Sequence, residues 1–266
     1  MSVQAGMSRP GGATSLRADG LTVKFGGLTA LADVSWSVSS GEILGIIGPN
    51  GAGKSTCLNA VTHFVPHQGK VLIGTTDISA MPSWRLHEYG IRRAFQQNNF
   101  FRDLSVLDNM VAVLMPRLGK NFFYSLFRPL AYSDHLGQLK ARAAQILSRI
   151  GVPESVYAHY PDELSYGTQR MLSIALAYGS NPAVLMLDEP AAGLGGDDMD
   201  RLRMLILSFR EEGLAVVVIE HHMDLIMEIA DRILVLDHGR TLAYASPEAV
   251  QNDERVLEAY LGRQDE

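Results

Sequence analysis

The chain has 266 residues, 47% of them hydrophobic, and its 29 acidic residues outnumber 23 lysines and arginines to give a net charge of -6. That length suits one large domain with a sizeable core, and no dense basic run argues for nucleic acid as a partner. The single cysteine, Cys57, excludes an intrachain disulfide and favours a reducing, cytoplasmic setting. Apolar runs such as "LAVVVI" are far shorter than the ~18–20 residues of a membrane-spanning helix.

The N-terminal half begins with residues 1–16, which show no hydrophobic period and are expected to form a flexible tail without signal-peptide features. Alternating apolar residues from Leu21 onward predict hairpin strands, and "EILGIIG" predicts a buried strand. Next, "STCLNAVTHF" predicts a helix and "GKVLIGTTDI" another strand. The order strand, loop, helix, strand is typical of an α/β protein.

The middle of the chain loses its strand signals. Helical spacing in "VLDNMVAVLM" and "QLKARAAQILSRIG" predicts a helical lobe over about 100–161, inserted into a core made of 17–99 and 162–266. Strands resume in "AVLMLDEP" and "LAVVVIEHH", each followed by a helical stretch. Continuous apolar strands flanked by helices predict a mainly parallel sheet covered on both faces.

A phosphate-binding loop is the strongest motif in the sequence. Residues 48–56, "GPNGAGKST", follow a predicted strand, open a predicted helix and match G-x-x-x-x-G-K-[ST]. Glycines permit a tight loop whose backbone N–H groups surround an anion at the positive end of the helix dipole. Lys54 is expected to reach the β- and γ-phosphates of a nucleotide, Ser55 to ligate Mg²⁺, and Thr56 to cap the helix or support the phosphate contact. The residues expected to bind nucleotide here are Gly48, Pro49, Asn50, Gly51, Ala52, Gly53, Lys54, Ser55 and Thr56.

Two acids end the strand "AVLMLDEP", at the edge where doubly wound sheets bind ligands. Asp188 suits Mg²⁺, and Glu189 suits a general base for the attacking water. The alternative is that the two acids form a strand-ending turn with a helix cap, and the presence of the phosphate loop makes this less favoured.

Together, "GPNGAGKST", "FQQNNFFRDLSVLDN", "LSYGTQR", "LMLDEPAAGL" and "VIEHHM" occur in an order that resembles the ATPase subunit of an ABC transporter. The fold implied is a P-loop NTPase of the ABC type, with a mainly parallel core sheet, an N-terminal antiparallel β part and an inserted helical lobe, over residues 17–266. Features such as "FGGLTAL", "EPAAGL" and "VLEAYLG" are similar to the importers of branched-chain amino acids and amides.

The resemblance assigns roles to further residues. Gln96 would link Mg²⁺ and water to the permease, His221 would hydrogen-bond the γ-phosphate as the switch histidine, and Phe25 would stack on adenine. Ser165 and the Gly167 backbone would meet the γ-phosphate held by a partner subunit.

The same resemblance implies partners: permease subunits, a second, identical or homologous ATPase in a head-to-tail dimer, and indirectly a solute-binding protein. It places the chain on the inner face of the cell membrane. The helical lobe would receive a permease helix, with Phe100, Phe101 and the 110–115 run as candidates for an apolar groove; each of these residues could equally be core.

Three residues depart from the family pattern: Tyr166 and Thr168 in the signature, and Gly195 where many members carry an aspartate. Gly195 puts communication between the two nucleotide sites in doubt. Three alternatives stay open: a lipid or polysaccharide exporter ATPase, which shares the core motifs; a soluble ABC protein without a permease; and, because of Thr168 and Gly195, a scaffold that binds ATP without hydrolysis.

Overall fold

The structure is a computed structural model that describes residues 15–95, 100–115 and 129–261. Residues 1–14 of the expected tail, Gln96, and most of the aromatic stretch after 120 lie outside these ranges. Within the described part of the chain, none of the helices combines the length and apolar content needed to cross a membrane.

Strands dominate the first part of the described chain, helices the middle, and the two alternate over residues 184–237. The strands are β1 (Ser15–Phe25), β2 (Leu28–Ser39), β3 (Ile43–Ile47), β4 (Gln68–Ile73), β5 (Thr76–Asp77), β6 (Ile91–Ala94), β7 (Val184–Asp188), β8 (Ala215–Ile219), β9 (Arg232–Asp237) and β10 (Arg240–Ala245). The helices are α1 (Lys54–Val61), α2 (Val106–Leu114), α3 (Pro129–Ile150), α4 (Tyr166–Gly179), α5 (Asp197–Glu211), α6 (Met223–Ile229), α7 (Pro247–Gln251) and α8 (Glu254–Leu261). A seven-residue 3₁₀ helix, Ser83–Tyr89, precedes β6.

A four-stranded antiparallel sheet in the order β2-β1-β4-β5 contains the predicted hairpin. β2 buries alternate residues such as Val34, Trp36 and Val38, which is the period of a strand with one face on the core. The predictions of strands in this region and of a helix after the phosphate loop are confirmed.

The second sheet has six strands in the order β10-β9-β3-β8-β7-β6. β3 pairs in parallel with β8 and β9, and β8 pairs in parallel with β7. All five residues of β3, β7 and β8 are buried, as expected for parallel strands covered on both faces. β9 and β10 form an antiparallel hairpin at the edge that the sequence reading did not identify.

The chain divides into two compact units. Among the described residues, one unit lies within 1–92, 183–189 and 206–266, and the other within 93–182 and 190–205. The second unit includes α2, α3 and α4 and extends beyond the lobe predicted at 100–161. In it Met110 is fully buried, whereas Phe101 is 62% exposed. Of the apolar candidates for a groove, Met110 is therefore core, Phe100 and residues 112–115 are partly buried, and Phe101 is exposed.

Candidate functional site

Three polar segments leave the same edge of the parallel sheet, because the carboxyl ends of parallel strands lie together. Gly48 follows β3, the segment from Glu220 follows β8, and Asp188 ends β7. β8 lies between the other two strands in the sheet. Strand order thus brings the phosphate loop, the acidic pair and the histidine segment to one edge, which the motifs alone did not establish.

The phosphate loop depends on glycine where its backbone approaches other segments. Gly48 has a φ of 149°, and a Cβ there would lie 2.1 Å from the carbonyl oxygen of Leu236. At Gly53, with a φ of 104°, a Cβ would lie 2.9 Å from the carbonyl oxygen of Ala30. Other residues do not fit these two positions without displacing neighbouring backbone.

Lys54 opens α1 and is 7% exposed. Its ammonium donates hydrogen bonds to the carbonyl oxygens of Gly48, at 2.6 Å, and Pro49, at 3.0 Å. Burial lowers the pKa of Lys54, and the negative charge of Glu189 acts in the opposite direction. The lysine side chain is therefore held over the loop and interacts electrostatically with the predicted general base, Glu189.

A pocket of about 340 Å³ surrounds this loop. Its lining combines the phosphate loop, the first turn of α1, the start of β2, Glu189 and the turn between β9 and β10: Leu28, Thr29, Ala30, Asn50, Gly51, Ala52, Gly53, Lys54, Ser55, Thr56, Glu189, His238 and Gly239. The N-cap of α1 is Gly53 and has no side-chain hydrogen bond. The suggestion that Thr56 caps the helix is therefore wrong, although Thr56 lines the pocket.

The sequence reading missed the β9–β10 turn as part of this pocket. Gly239 donates its N–H to the carbonyl of Ala52 at 3.0 Å and accepts from the N–H of Ala32 at 2.8 Å. A Cβ at Gly239 would lie 2.5 Å from the carbonyl oxygen of Ala30. The only sequence signal was the His-Gly pair between two apolar runs, typical of a hairpin turn.

The acidic pair differs in exposure and backbone conformation. Asp188, the last residue of β7, is 5% exposed. Glu189 is partly exposed and has a φ of 49°, in the left-handed region that few non-glycine residues occupy. Its N–H donates to the carbonyl of Ile219 at 2.9 Å, which holds the residue beside the end of β8.

The histidine segment contains a buried acid between β8 and two exposed rings. Glu220 is fully buried, while the side chains of His221 and His222 are 51% and 36% exposed. Glu220 Oε2 accepts from the His221 N–H at 3.1 Å and lies 3.0 Å from Nδ1 of His222. His221 is not among the residues that line the 340 Å³ pocket.

Phe25, the predicted adenine contact, is not in that lining. Phe25 ends β1 with 50% of its surface exposed, three residues before the pocket begins at Leu28. Gln96 lies outside the described residues, so its role stays a prediction.

The signature segment, residues 164–170, begins α4. Ser165 is the N-cap; its hydroxyl accepts from the Thr168 N–H at 3.3 Å and lies 2.9 Å from the Thr168 hydroxyl. Ser165, Gly167 and Thr168 line a separate pocket of about 80 Å³. The rest of its lining comes from the segment after α3, from α4, from the loop before α5 and from α5 itself: Gly151, Pro153, Met171, Leu194, Asp198 and Arg201. Thr168, which the sequence left unplaced, thus shares hydroxyl contacts with the capping serine.

Tyr166, the other departure in the signature, contacts two segments. Its hydroxyl accepts a hydrogen bond from Nη2 of Arg170 at 3.0 Å, and Arg170 is 1% exposed. Arg170 also donates to the carbonyl of Phe95 at 3.0 Å. A Cβ on Gly193 would lie 2.9 Å from the Tyr166 ring, so the ring packs against that glycine.

A parallel sheet with a lysine-bearing phosphate loop after a central strand, and an acidic pair at the same edge, defines a P-loop nucleotide-binding protein. A family model described as "ABC transporter" matches residues 31–192, and one described as "Branched-chain amino acid ATP-binding cassette transporter" matches residues 240–266. The chain belongs to the ABC transporter family and is an ATPase of that family.

Relatives and solved structures agree with this assignment over nearly the whole chain. The high-affinity branched-chain amino acid transport ATP-binding proteins BraF of Pseudomonas aeruginosa and LivG of Salmonella typhimurium are 36% and 37% identical; the alignments cover 96% and 93% of this chain and 99% and 97% of theirs. An ATP-binding cassette of an ABC transporter in its ADP conformation is 30% identical with a TM-score of 0.78, covering 94% of this chain and 99% of its own. The lipopolysaccharide export protein LptB of Haemophilus influenzae is 33% identical over 94% of this chain and 98% of its own.

Proposed function

We propose that this chain hydrolyses ATP to power a membrane importer of branched-chain amino acids or related amides. The observation that carries the ATPase part is the common pocket of Lys54, Ser55 and Glu189. The importer part is supported by the C-terminal match to the branched-chain amino acid cassette model and by relatives named for that transport.

In the proposed reaction, the loop N–H groups and Lys54 bind the phosphates and stabilise negative charge that develops on the γ-phosphate. Lys54 must exchange its hydrogen bonds to the Gly48 and Pro49 carbonyls for phosphate oxygens. Glu189 accepts a proton from the attacking water as general base. Its fixed backbone position at the end of β7 directs the carboxylate into the pocket that holds Lys54.

The donor set at the sheet edge fits Mg²⁺, which prefers oxygen ligands. Ser55 offers a hydroxyl in the first turn of α1 and Asp188 a carboxylate at the end of β7. We assign the ion to these two, with Gln96 as a further ligand on the resemblance alone. When bound, the ion neutralises phosphate charge.

Two other residues complete the proposed nucleotide site. His221 is assigned to the γ-phosphate as a hydrogen-bonding group, which its exposed ring at the shared sheet edge supports. Phe25 is assigned to the adenine, because its exposed ring ends the strand just before the pocket lining begins.

We assign Ser165 and the Gly167 backbone to the γ-phosphate of a partner subunit in a head-to-tail dimer. They lie at a capped helix N-terminus, where N–H groups favour an anion. Their pocket shares no residue with the pocket around the phosphate loop. The partner is a second copy or a homologous ATPase.

At the level of the whole transporter, we place the chain on the inner face of the cell membrane, bound to permease subunits that receive solute from a solute-binding protein. Phe101, exposed on the second unit, is a candidate contact for the permease.

The catalytic assignment is tested by Lys54→Ala and Glu189→Gln in the full chain. Lys54→Ala should weaken ATP binding and abolish hydrolysis, whereas Glu189→Gln should keep ATP binding and accumulate an ATP-bound dimer in gel filtration. Lys70→Ala and Glu211→Gln change exposed residues of the same types and should behave as wild type. Full turnover by Lys54→Ala would rule out the phosphate-loop assignment.

The transport assignment is tested by purifying the tagged chain from detergent-solubilised membranes of its own source. Recovery of permease subunits that bind or transport branched-chain amino acids supports the proposal. Recovery of a lipopolysaccharide-exporting permease supports the exporter alternative, and ribosomes or DNA factors without a membrane protein support a soluble ABC function.

A further inference from the structure

Three consecutive residues after β8 bring three metal-binding side chains together. One carboxylate oxygen of Glu220 and one ring nitrogen from each of His221 and His222 all lie within 4.8 Å of one another. The two rings are tilted by 37° with centroids 4.2 Å apart. Imidazole nitrogens with a carboxylate are the donors that zinc and related transition metals prefer, whereas Mg²⁺ prefers oxygen alone.

The distances suit a tetrahedral ion. Nδ1 of His222 and Nδ1 of His221 lie 3.0 Å and 3.7 Å from Glu220 Oε2. With zinc–ligand bonds of about 2.0–2.1 Å, two ligands of a tetrahedral site are about 3.3 Å apart. These two separations lie on either side of that value, and all three ligand atoms lie within 4.8 Å of one another, so rotation of the exposed rings is needed to bring both nitrogens to the ion.

The carboxylate is already oriented for such a role. Glu220 is fully buried, and its Oε2 is fixed by the N–H groups of His221, at 3.1 Å, and His222, at 3.5 Å. Hydrogen bonds of this kind hold metal ligands in place and favour binding. The His221 and His222 side chains, in contrast, are 51% and 36% exposed, so solvent reaches both rings.

We propose that Glu220, His221 and His222 form a binding site for Zn²⁺ that is separate from the Mg²⁺ site of the nucleotide. The ion binds Glu220 Oε2 and a nitrogen of each ring, with water at the remaining position. The nitrogen of each ring that binds the ion carries no proton, so the hydrogen bond between His222 Nδ1 and Glu220 is replaced by bonds to the ion, and the ring's single proton is then on Nε2 of His222.

Occupancy of this site has a consequence for hydrolysis that rests on the proposed role of His221. A ring whose nitrogen is bound to zinc cannot turn to the γ-phosphate. Zinc therefore inhibits ATP hydrolysis while leaving the phosphate loop, and so ATP binding, intact.

Zinc binding is measured first, by calorimetry with Zn²⁺ alone on the full, nucleotide-free chain. Wild type should bind one ion at this site, and His222→Ala should bind it at least about tenfold more weakly. His222→Gln can still hydrogen-bond to Glu220 but is a poor zinc ligand. It should therefore fold normally and bind zinc as weakly as His222→Ala, which separates loss of the ligand from loss of the fold. His67→Ala is the matched control, because that ring stacks on His63 elsewhere, with centroids 5.3 Å apart. Equal zinc affinity in wild type and both His222 variants would overturn the proposal, as would no binding.

The same variants separate the site from its functional consequence. In MgATP, added Zn²⁺ should slow hydrolysis by wild type and His67→Ala at least about tenfold more than hydrolysis by His222→Ala, and a chelator should restore the rate. Zinc binding that depends on His222 without such inhibition would uphold the metal site and refute the role of His221. Loss of the catalytic assignment at Lys54 or Glu189 would leave the calorimetric result unchanged.

Discussion

Replacing Tyr166 by phenylalanine removes one hydroxyl and keeps the ring that packs on Gly193. The hydroxyl accepts a hydrogen bond at 3.0 Å from Arg170, a cation that is 1% exposed. Hydrogen bonds to charged groups contribute about 1.5–3 kcal/mol, and the half-exposed Tyr166 side chain lets water replace part of the loss, so we expect about 1.5 kcal/mol. For a chain of this size, that lowers Tm by about 3–6 °C.

The measurement is a thermal melt combined with a double-mutant cycle. In an Arg170→Met background, Tyr166→Phe should lower Tm by about 1 °C or less, because the hydrogen bond has already gone. Tyr160→Phe, whose ring is also about half exposed, is the matched control and should leave Tm unchanged. An equal Tm decrease for Tyr166→Phe in both backgrounds would show that its cost does not come from Arg170.

Three further predictions follow from the loop glycines, the signature and the cysteine. Gly48→Ala should abolish ATP binding, because its Cβ would lie 2.1 Å from a carbonyl oxygen. At Gly51 no atom lies within 4 Å of an added Cβ, so Gly51→Ala should cost only about 1–2 kcal/mol of folding stability, which is the strain of an alanine at a φ of 80°. Binding titrations and thermal melts distinguish the two variants. Ser165→Arg should prevent the MgATP-dependent dimer in gel filtration while ATP affinity stays within about twofold; parallel loss of both would contradict a role in the partner's site. Burial raises the pKa of Cys57 to about 12, so the native thiol should resist a thiol reagent and react after unfolding. Because the folded protein holds this proton more tightly than the unfolded chain, stability should be constant below about pH 9 and fall above it, more steeply than in Cys57→Ala.

Features that depend only on residues close together in the sequence were predicted. A phosphate loop needs its glycines and lysine at fixed spacing, and a buried parallel strand needs a continuous apolar run, so residues 48–56 and β7 could both be identified. For Ser165 the sequence suggested a contact with nucleotide, and its N-cap role was added by the structure.

Features that depend on long-range contacts were not predictable in this way. Gly239 is required because the carbonyl of Ala30, more than two hundred residues earlier, lies against it. Likewise, nothing in the spacing of "LSYGTQR" indicates that Arg170 is buried and bonded to Phe95. The sequence left Met110 open between a groove and the core, and the core position follows from the packing of its sulfur and methyl group over Gly179, on another helix.

The left-handed backbone of Glu189 has a consequence for attempts to make this protein more heat-resistant. An ordinary side chain in that conformation costs roughly 1–2 kcal/mol, and the following proline restricts the residue further. Glycine or asparagine at position 189 should therefore raise the melting temperature while removing the carboxylate that we assign to the attacking water. Selection for thermal stability alone will favour inactive variants at this position, so such a screen has to score turnover together with survival of the fold.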